Sequence, residues 1–562
     1  MIYQLIGRNG AMRNKRTNSG LSVRAISGTY VVILGINMDE SDCNGLLGFA
    51  IHRTDHTEGE AYWMEGIKTF AETDPGFVAG SSYSTRQHPI QGFSWSDYSA
   101  KPAHDYTYRV EALFGSPTDL RSVAQTQVRI STESPEGGNH DVYFNRGVAA
   151  SQAYARRFGN RRPDDVGDAA FAWLSRGLFE ATVGFIESAV DSQHQLRVAA
   201  YEFHYKPVLL ALKAAKQRGV DVKIVFDNRK DSPGEKNDAA VRDVGISSIC
   251  TRRESNKSAI SHNKFIVRIK NGVPEAVLTG GTNFSEGGIF GHSNVSHVVE
   301  DSATAAEFLR YWDLLNDDPA SADLRPVLTS TVPLPTGLPP VGTTSIFSPR
   351  SDTDALEYYA ALGTKANDGL FATFAFGMHD AIQGVYRNST AKLRYAVMEK
   401  KTRPMKAGPD RDAEEAKIDS LSRMKENRFA IGSKLTSSKF DRWLFETDSG
   451  LNKNVRYIHN KFMLIDPLSS SPIVIAGSAN FSAASSTEND ENMLIVRNNN
   501  RVADIYLGEF MRLYSHHAFR EFLEQVDANT LSTNPSFLSR GEWWKSYFGD
   551  TARSRQREFF AG

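Results

Sequence analysis

Apolar positions change their period twice along this chain. Up to about residue 135 they fall in short, alternating runs at 21–25, 29–36, 46–53, 104–114 and 124–131, parted by Gly, Asn, Asp and Pro clusters. That spacing predicts a small antiparallel β-sandwich. A polar linker, 132–141, follows. Beyond it Phe171, Leu174, Leu178 and Phe185 recur at helical spacing, predicting one core helix over 165–189. Apolar strands are expected at 196–203, 220–226, 262–269 and 276–278, with helices at 206–217 and 303–315. Pro333, Pro335, Pro339 and Pro340, with Gly337 and Gly342, predict an extended boundary within 317–343. The same order then returns: helix 353–365, strand 370–376, a helix from His379, strand 393–398, another short apolar strand after 461, and helix 502–516.

The chain therefore divides into a β module (1–135), an α/β half (136–325), a Pro-rich linker (326–343) and a second α/β half (344–562). The second half holds a mixed-charge insertion at 399–427 and ends in an aromatic, basic tail. In the insertion Arg403, Lys406, Arg411 and Lys417 are offset by Asp410, Asp412, Glu414 and Glu415, which favours a solvated helix or loop over a basic lip. The tail, from Trp543-Trp544 to Arg557, would line a substrate groove by stacking or pack across both α/β halves.

The repeated order carries repeated chemistry. Ser261-His262-Asn263-Lys264-Phe265 precedes Gly280-Gly281-Thr282-Asn283-Phe284-Ser285, and Ile458-His459-Asn460-Lys461-Phe462 precedes Gly477-Ser478-Ala479-Asn480-Phe481-Ser482. A His and a Lys two apart share one face of an extended strand. Lys264 and Lys461 offer point charges to phosphate oxygens, and Asn283, Asn480, Ser478 and Thr282 are candidate hydrogen-bond donors to the same group. His262 and His459 can each act as nucleophile or proton donor near neutral pH.

Paired HNKF and G-[GS]-x-N-F-S motifs resemble the phospholipase D superfamily over roughly residues 165–530. The resemblance implies an α/β pseudo-dimer of two mixed-sheet halves, a phosphohistidine intermediate, and a reaction that needs no cofactor or metal. It also implies a signature acid after the lysine. Asp466 fits in the second motif, whereas Ile269 stands at the matching place in the first. A carboxylate about thirty residues after the histidine would fix its tautomer; Glu491 fits this for His459, and the corresponding stretch of the first half, His292-Ser293-Asn294-Val295-Ser296-His297, has no acid until Glu300. With Asp466 and Glu491 both assigned to it, His459 is expected to be the nucleophile and His262 the acid, against the superfamily's more usual assignment. His204, His379, His516 and His517 lie outside any motif and are expected at the surface or as satisfied core. The β module resembles a fibronectin or immunoglobulin type, with Tyr106–Ala112 as a late strand, and would bind a partner or substrate or simply pack.

Composition narrows the partners. A net charge of −1 gives no global field to gather nucleic acid. No amphipathic membrane-surface helix is evident either. These two points weaken nuclease and lipase readings alike; the resemblance favours phospholipid, because the superfamily's two-motif single chains are commonly lipases, with a nuclease as the alternative and a non-catalytic binding protein as the third reading. Two cysteines, Cys43 and Cys250, preclude a disulfide framework. No apolar stretch reaches membrane-spanning length and no cleavable signal is read, which favours the cytoplasm and leaves open export by a route without a cleaved signal; the resemblance implies a monomer whose two halves pair internally.

Overall fold

A computed structural model describes residues 12–76, 80–147, 151–229, 232–255, 259–432, 444, 450–451, 455–525 and 537–562. They form two units, one drawn from the described residues within 1–135, 436–445 and 504–562, the other from those within 136–435 and 446–503.

In the first unit the alternating runs pair as two antiparallel four-stranded sheets. One runs Arg13–Asn18, Leu21–Ser27, Val32–Asn37, Ser94–Asp97; the other runs Asp119–Ser131, Asp105–Ser116, Gly48–Asp55, Glu60–Trp63. Leu21, Val23, Leu34, Ile51, Tyr108 and Val110 fill the space between them, as alternation requires. Trp544 and Phe548 join this core, and the helix Ala552–Ala561 lies on the strand Val32–Asn37. Gly35 permits that approach, because a Cβ there would meet the Phe560 carbonyl carbon at 2.3 Å. The tail thus completes the β unit. Its expected place in the second α/β half is corrected: its aromatic side chains are buried by the sandwich.

The second unit contains two seven-stranded mixed sheets of identical order. The first runs His140–Phe144, Val295–Val299, Val273–Gly280, Lys264–Lys270, His194–Ala200, Asp221–Asp227, Cys250–Arg253. The second runs Gly342–Ser348, Glu491–Arg497, Ile473–Gly477, Phe462–Ile465, Gly369–Phe374, Leu393–Met398, Asn427–Ile431. These strands are buried on both faces, which explains why they read as continuous apolar runs. In each sheet the strand after the HNK motif runs antiparallel to the first of three parallel-linked strands. Each motif therefore sits beside the carboxyl ends of the parallel strands, where open α/β sheets place their ligands.

The expected helix 165–189 is broken into Pro163–Val166, Asp168–Ser175 and Leu178–Glu187. Gly167, Arg176 and Gly177 interrupt it with positive φ. The expected linker is shorter than the proline count implied, because Ser321–Thr331 is helical with Pro326 inside it. The charged insertion holds the helix Pro409–Ser422, with Arg411 paired to Glu415 and Lys417 to Glu414. No described helix is long and apolar enough to cross a membrane.

Candidate active site

The two motifs meet through reciprocal backbone bridges between the halves. Ser261 pairs with Asp490 and Ser293 with Ile458, each just before a motif histidine or the residue that faces it. Carboxylates at the ends of the parallel strands anchor the approaches. Asp227 accepts the Ser261 backbone N–H at 2.9 Å, and Glu399 accepts those of Arg456, Tyr457 and Ile458 at 2.8–3.1 Å. One cavity of about 510 Å³ is lined by His262, His459, Asn283 and Asn480 together with Tyr201, Glu202 and His292.

Each histidine is held by the opposite half. His262 Nδ1 lies 2.8 Å from Glu491 Oε2, and His459 Nδ1 lies 3.0 Å from Asn294 Oδ1. Asn294 and Glu491 stand the same number of residues after His262 and His459, so they are counterparts. The expectation that Glu491 serves His459 is therefore corrected: it crosses over to His262. A carboxylate only accepts, so His262 carries its proton on Nδ1 and turns the Nε2 lone pair to the cavity. Ser478 and Ser485 donate to Glu491 at 2.7 and 3.0 Å and fix it. Asn294 Nδ2 donates to the Gly288 carbonyl at 2.6 Å, which turns its oxygen to His459 and sets the same tautomer there. Gly281 stands where the second half has Ser478, and an added Cβ would lie 3.1 Å from Asn294 Oδ1.

Other expected site residues take different places. Asp466 sits at the far end of the strand Phe462–Ile465, with φ +47°, and accepts the backbone N–H groups of Asn367, Asp368 and Gly369 at 2.7–3.1 Å. Five residues of extended chain carry it roughly 16 Å beyond Lys461; it caps a turn and does not orient His459. Ser478 contacts Glu491, as above, and Thr282 Oγ1 donates to the Val295 carbonyl at 2.9 Å. Both position the backbone and neither lines the cavity. Asn283 and Asn480 do line it, and the amide oxygen of each lacks a hydrogen-bond partner among the described residues. Arg403 and His379 line a smaller cavity of about 230 Å³ that shares Asn480 and Phe376 with the larger one. His204 and His379, expected at the surface or in the core, line the larger and the smaller cavity, and His292, Asn294 and Glu202 belong to the site without any motif that marks them. Spacing from His262 would have revealed Asn294.

Burial governs the charges. Lys264 and Lys461 are each 1% exposed. Burial lowers Lys264 to about 7, against the pull of Glu491, Glu202 and Asp227, and puts Lys461 well below the usual lysine range. In this site each ammonium donates to the carbonyl of its own motif histidine, at 2.6 Å for Lys461. His262 is lowered to about 4 by burial, with Glu491 opposing and Lys264 assisting. His459 lies well below its ordinary value through burial and the neighbouring Lys461, His292, Lys264 and His262. Both rings are neutral at neutral pH. Two asparagines line the space between two tautomer-locked imidazoles, with the two buried lysines behind them, Lys461 at the wall of the smaller cavity, and this set suits an anion with tetrahedral oxygens.

A family model described as "Cardiolipin synthase, PLD-like domain" matches residues 185–315 and 372–514. Among solved structures, the chain is similar to Nuc, a phospholipase D family member from Salmonella typhimurium: 32% identity, 24% of this chain and 84% of that one, TM-score 0.20. Phosphatidylserine synthase from Haemophilus influenzae matches at 11% identity over 69% of this chain and 90% of that one, TM-score 0.43. Polyphosphate kinase from Porphyromonas gingivalis matches at 12% over 61% and 48%, TM-score 0.39, so this chain spans about half that protein's length. No curated protein sequence matches.

Proposed function

Because this chain belongs to the phospholipase D family, we propose that it hydrolyses a phosphodiester in two steps, through a phosphohistidine on His262. The supporting observation is the crossed hydrogen bonding, which gives His262 a carboxylate and His459 a neutral amide. As Nε2 of His262 attacks phosphorus, positive charge develops on that imidazole beside Glu491, which stabilises it. The bond to the leaving oxygen breaks, and His459, protonated once the anion is bound, passes its Nε2 proton to that oxygen. Neutral His459 then takes a proton from water, the hydroxyl attacks phosphorus, and the P–N bond breaks to return His262. Lys264, Lys461, Asn283 and Asn480 hold the phosphoryl oxygens throughout. The nucleophile and acid expected from sequence are thereby exchanged.

For substrate, a phospholipid is the reading the cavity supports. Glu202 and Phe376 follow the corresponding strands His194–Ala200 and Gly369–Phe374 by the same two residues. Both line the large cavity, together with Glu286, Leu451 and Val455. Glu202 and Glu286 outnumber Lys236 in the lining and oppose the neighbouring phosphates of a nucleic acid, and the apolar groups suit the rest of a lipid. The test is a panel of phospholipids, single- and double-stranded nucleic acids and bis(nitrophenyl) phosphate, each with and without excess chelator. Phospholipid cleavage that survives EDTA is expected. Preferred cleavage of nucleic acid would overturn the substrate reading, and loss in EDTA restored by a divalent ion would overturn the mechanism.

A further inference from the structure

The pseudo-symmetry of the site breaks at one more position. Asn489 precedes Glu491 by two residues, and His292 precedes Asn294 by two. Asn489 supports the backbone and its neighbour, since its Oδ1 accepts the Ile260 backbone N–H at 3.2 Å and its Nδ2 reaches Glu491 at 3.5 Å. His292 instead lies against His459, with ring centroids 4.3 Å apart and planes 22° from parallel. Its Nδ1 is 3.3 Å from the Val455 carbonyl, and it is 4% exposed. Both rings line the large cavity with His262.

Resting on the phosphodiesterase reading, we propose that His292 is a positioning residue that keeps His459 uncharged until the substrate anion arrives, so that binding itself arms the acid. Two parallel imidazoles at this distance cannot both be protonated without strong repulsion, so the pair holds one proton at most. Among the described residues no carboxylate is bonded to His459 to favour its cation; what it faces is Asn294 Oδ1, His292, Lys461, Lys264 and His262. Burial lowers His292 as well, to about 4, but the Val455 carbonyl and Glu202 oppose it, so His292 and not His459 takes the pair's first proton on acidification, and at neutral pH both rings rest uncharged. A bound phosphodiester adds a negative charge beside His459 Nε2 and reverses the preference. The ring stacked on His459 also blocks it from tilting off the in-line direction. Were His459 charged at rest, it would sit among two lysines as a third cation and would attract inert anions.

The test follows the imidazole of His459 by NMR in full-length protein carrying labelled histidine, assigned by loss of its signal in His459→Gln. Titrations are run on wild type, His292→Phe and His292→Asn, with and without sulfate. Phe keeps the stacked ring but cannot take a proton; Asn is what the counterpart position carries. The expected result is a His459 midpoint on the order of one pH unit higher in the empty variants than in empty wild type. Sulfate should raise the wild-type midpoint and raise the variants' midpoints less. In the pH–rate profile with a substrate whose leaving oxygen needs protonation, the alkaline limb should move up by a similar shift. If wild type cleaves phosphodiesters and the His459 midpoint stays unmoved in His292→Phe, this role is overturned while the function stands. If Phe does not fold, an unmoved midpoint in Asn decides it. If wild type cleaves no phosphodiester, it is the functional reading that fails, and the titrations still report on the pair.

Discussion

A buried imidazole can attack or donate only when its proton is fixed on the correct nitrogen, and here two residues of unequal charge do the fixing. Glu491→Gln presents an NH₂ to a pocket already supplied with the Ser478 and Ser485 hydroxyls, so one donor is left unmatched. We expect the rate of phosphoryl transfer to drop about 10²- to 10⁴-fold, as when a carboxylate behind a catalytic histidine is neutralised. Steady-state kinetics check this, and a loss below threefold would show that His262 does not need the charge. The lysines give a second expectation. Lys264, near 7 in the empty site, is favoured as the ammonium when an anion binds, so its folded-state pKa rises on binding. Below about 7 Lys264 is charged in both states and adds no pH dependence, and above it binding must take up a proton. Sulfate affinity should thus fall as pH rises beyond 7, with proton uptake seen by calorimetry in buffers of different ionisation enthalpy. Affinity that stays flat on the alkaline side of that value would contradict the assignment.

At the scale of elements, the halves are tied by a buried ion pair as well as by the bridges. Arg253, 2% exposed, donates to Asp490 at 2.9 Å and to Asp318 at 2.8 Å, and Asp490 is fully buried directly before Glu491. Arg253→Leu leaves that carboxylate without its cation and should cost about 3–5 kcal/mol by chemical denaturation. A change under about 1 kcal/mol would show that water or Asp490 protonation compensates. The duplicated order of strands and helices was legible because buried parallel strands read as apolar runs and HNKF marks each central strand. The breaks at Gly167 and Gly177 were not, since helical periodicity continues across them and only the backbone turns. The expected boundary reaches too far back, since Ser321–Thr331 is helical; Pro326 inside it deletes a single donor, and the helix tolerates it. Glu491 was found but assigned to the wrong histidine, because pairing across the halves is invisible in the spacing within one half. Asn294 carries no acidic signal, because at its spacing the superfamily pattern has a carboxylate and here an amide does the positioning.

For the molecule as a whole, the β unit is closed by residues from both ends of the chain. Trp544 and Phe548 are 6% and 9% exposed within the sandwich core, and Arg13 pairs with Asp504 at 2.8 Å. Separate folding of everything after the 132–141 linker, as the sequence pattern alone would suggest, is therefore not expected. A chain that starts at 141 keeps the tail but loses the sheets that bury it, exposing several aromatic side chains, each worth about 3–5 kcal/mol in place. It should aggregate or express insolubly, and a soluble, monodisperse product would show that the tail is dispensable to the unit. Everything proposed for the reaction turns on which half supplies the nucleophile. That is tested most directly by mixing bis(nitrophenyl) phosphate, whose leaving group needs no proton, with His459→Ala and with His262→Ala, quenching, and locating acid-labile phosphohistidine by mass spectrometry. The prediction is label on His262 in His459→Ala and none in His262→Ala; label on His459 in His262→Ala, with none in the other variant, would contradict it.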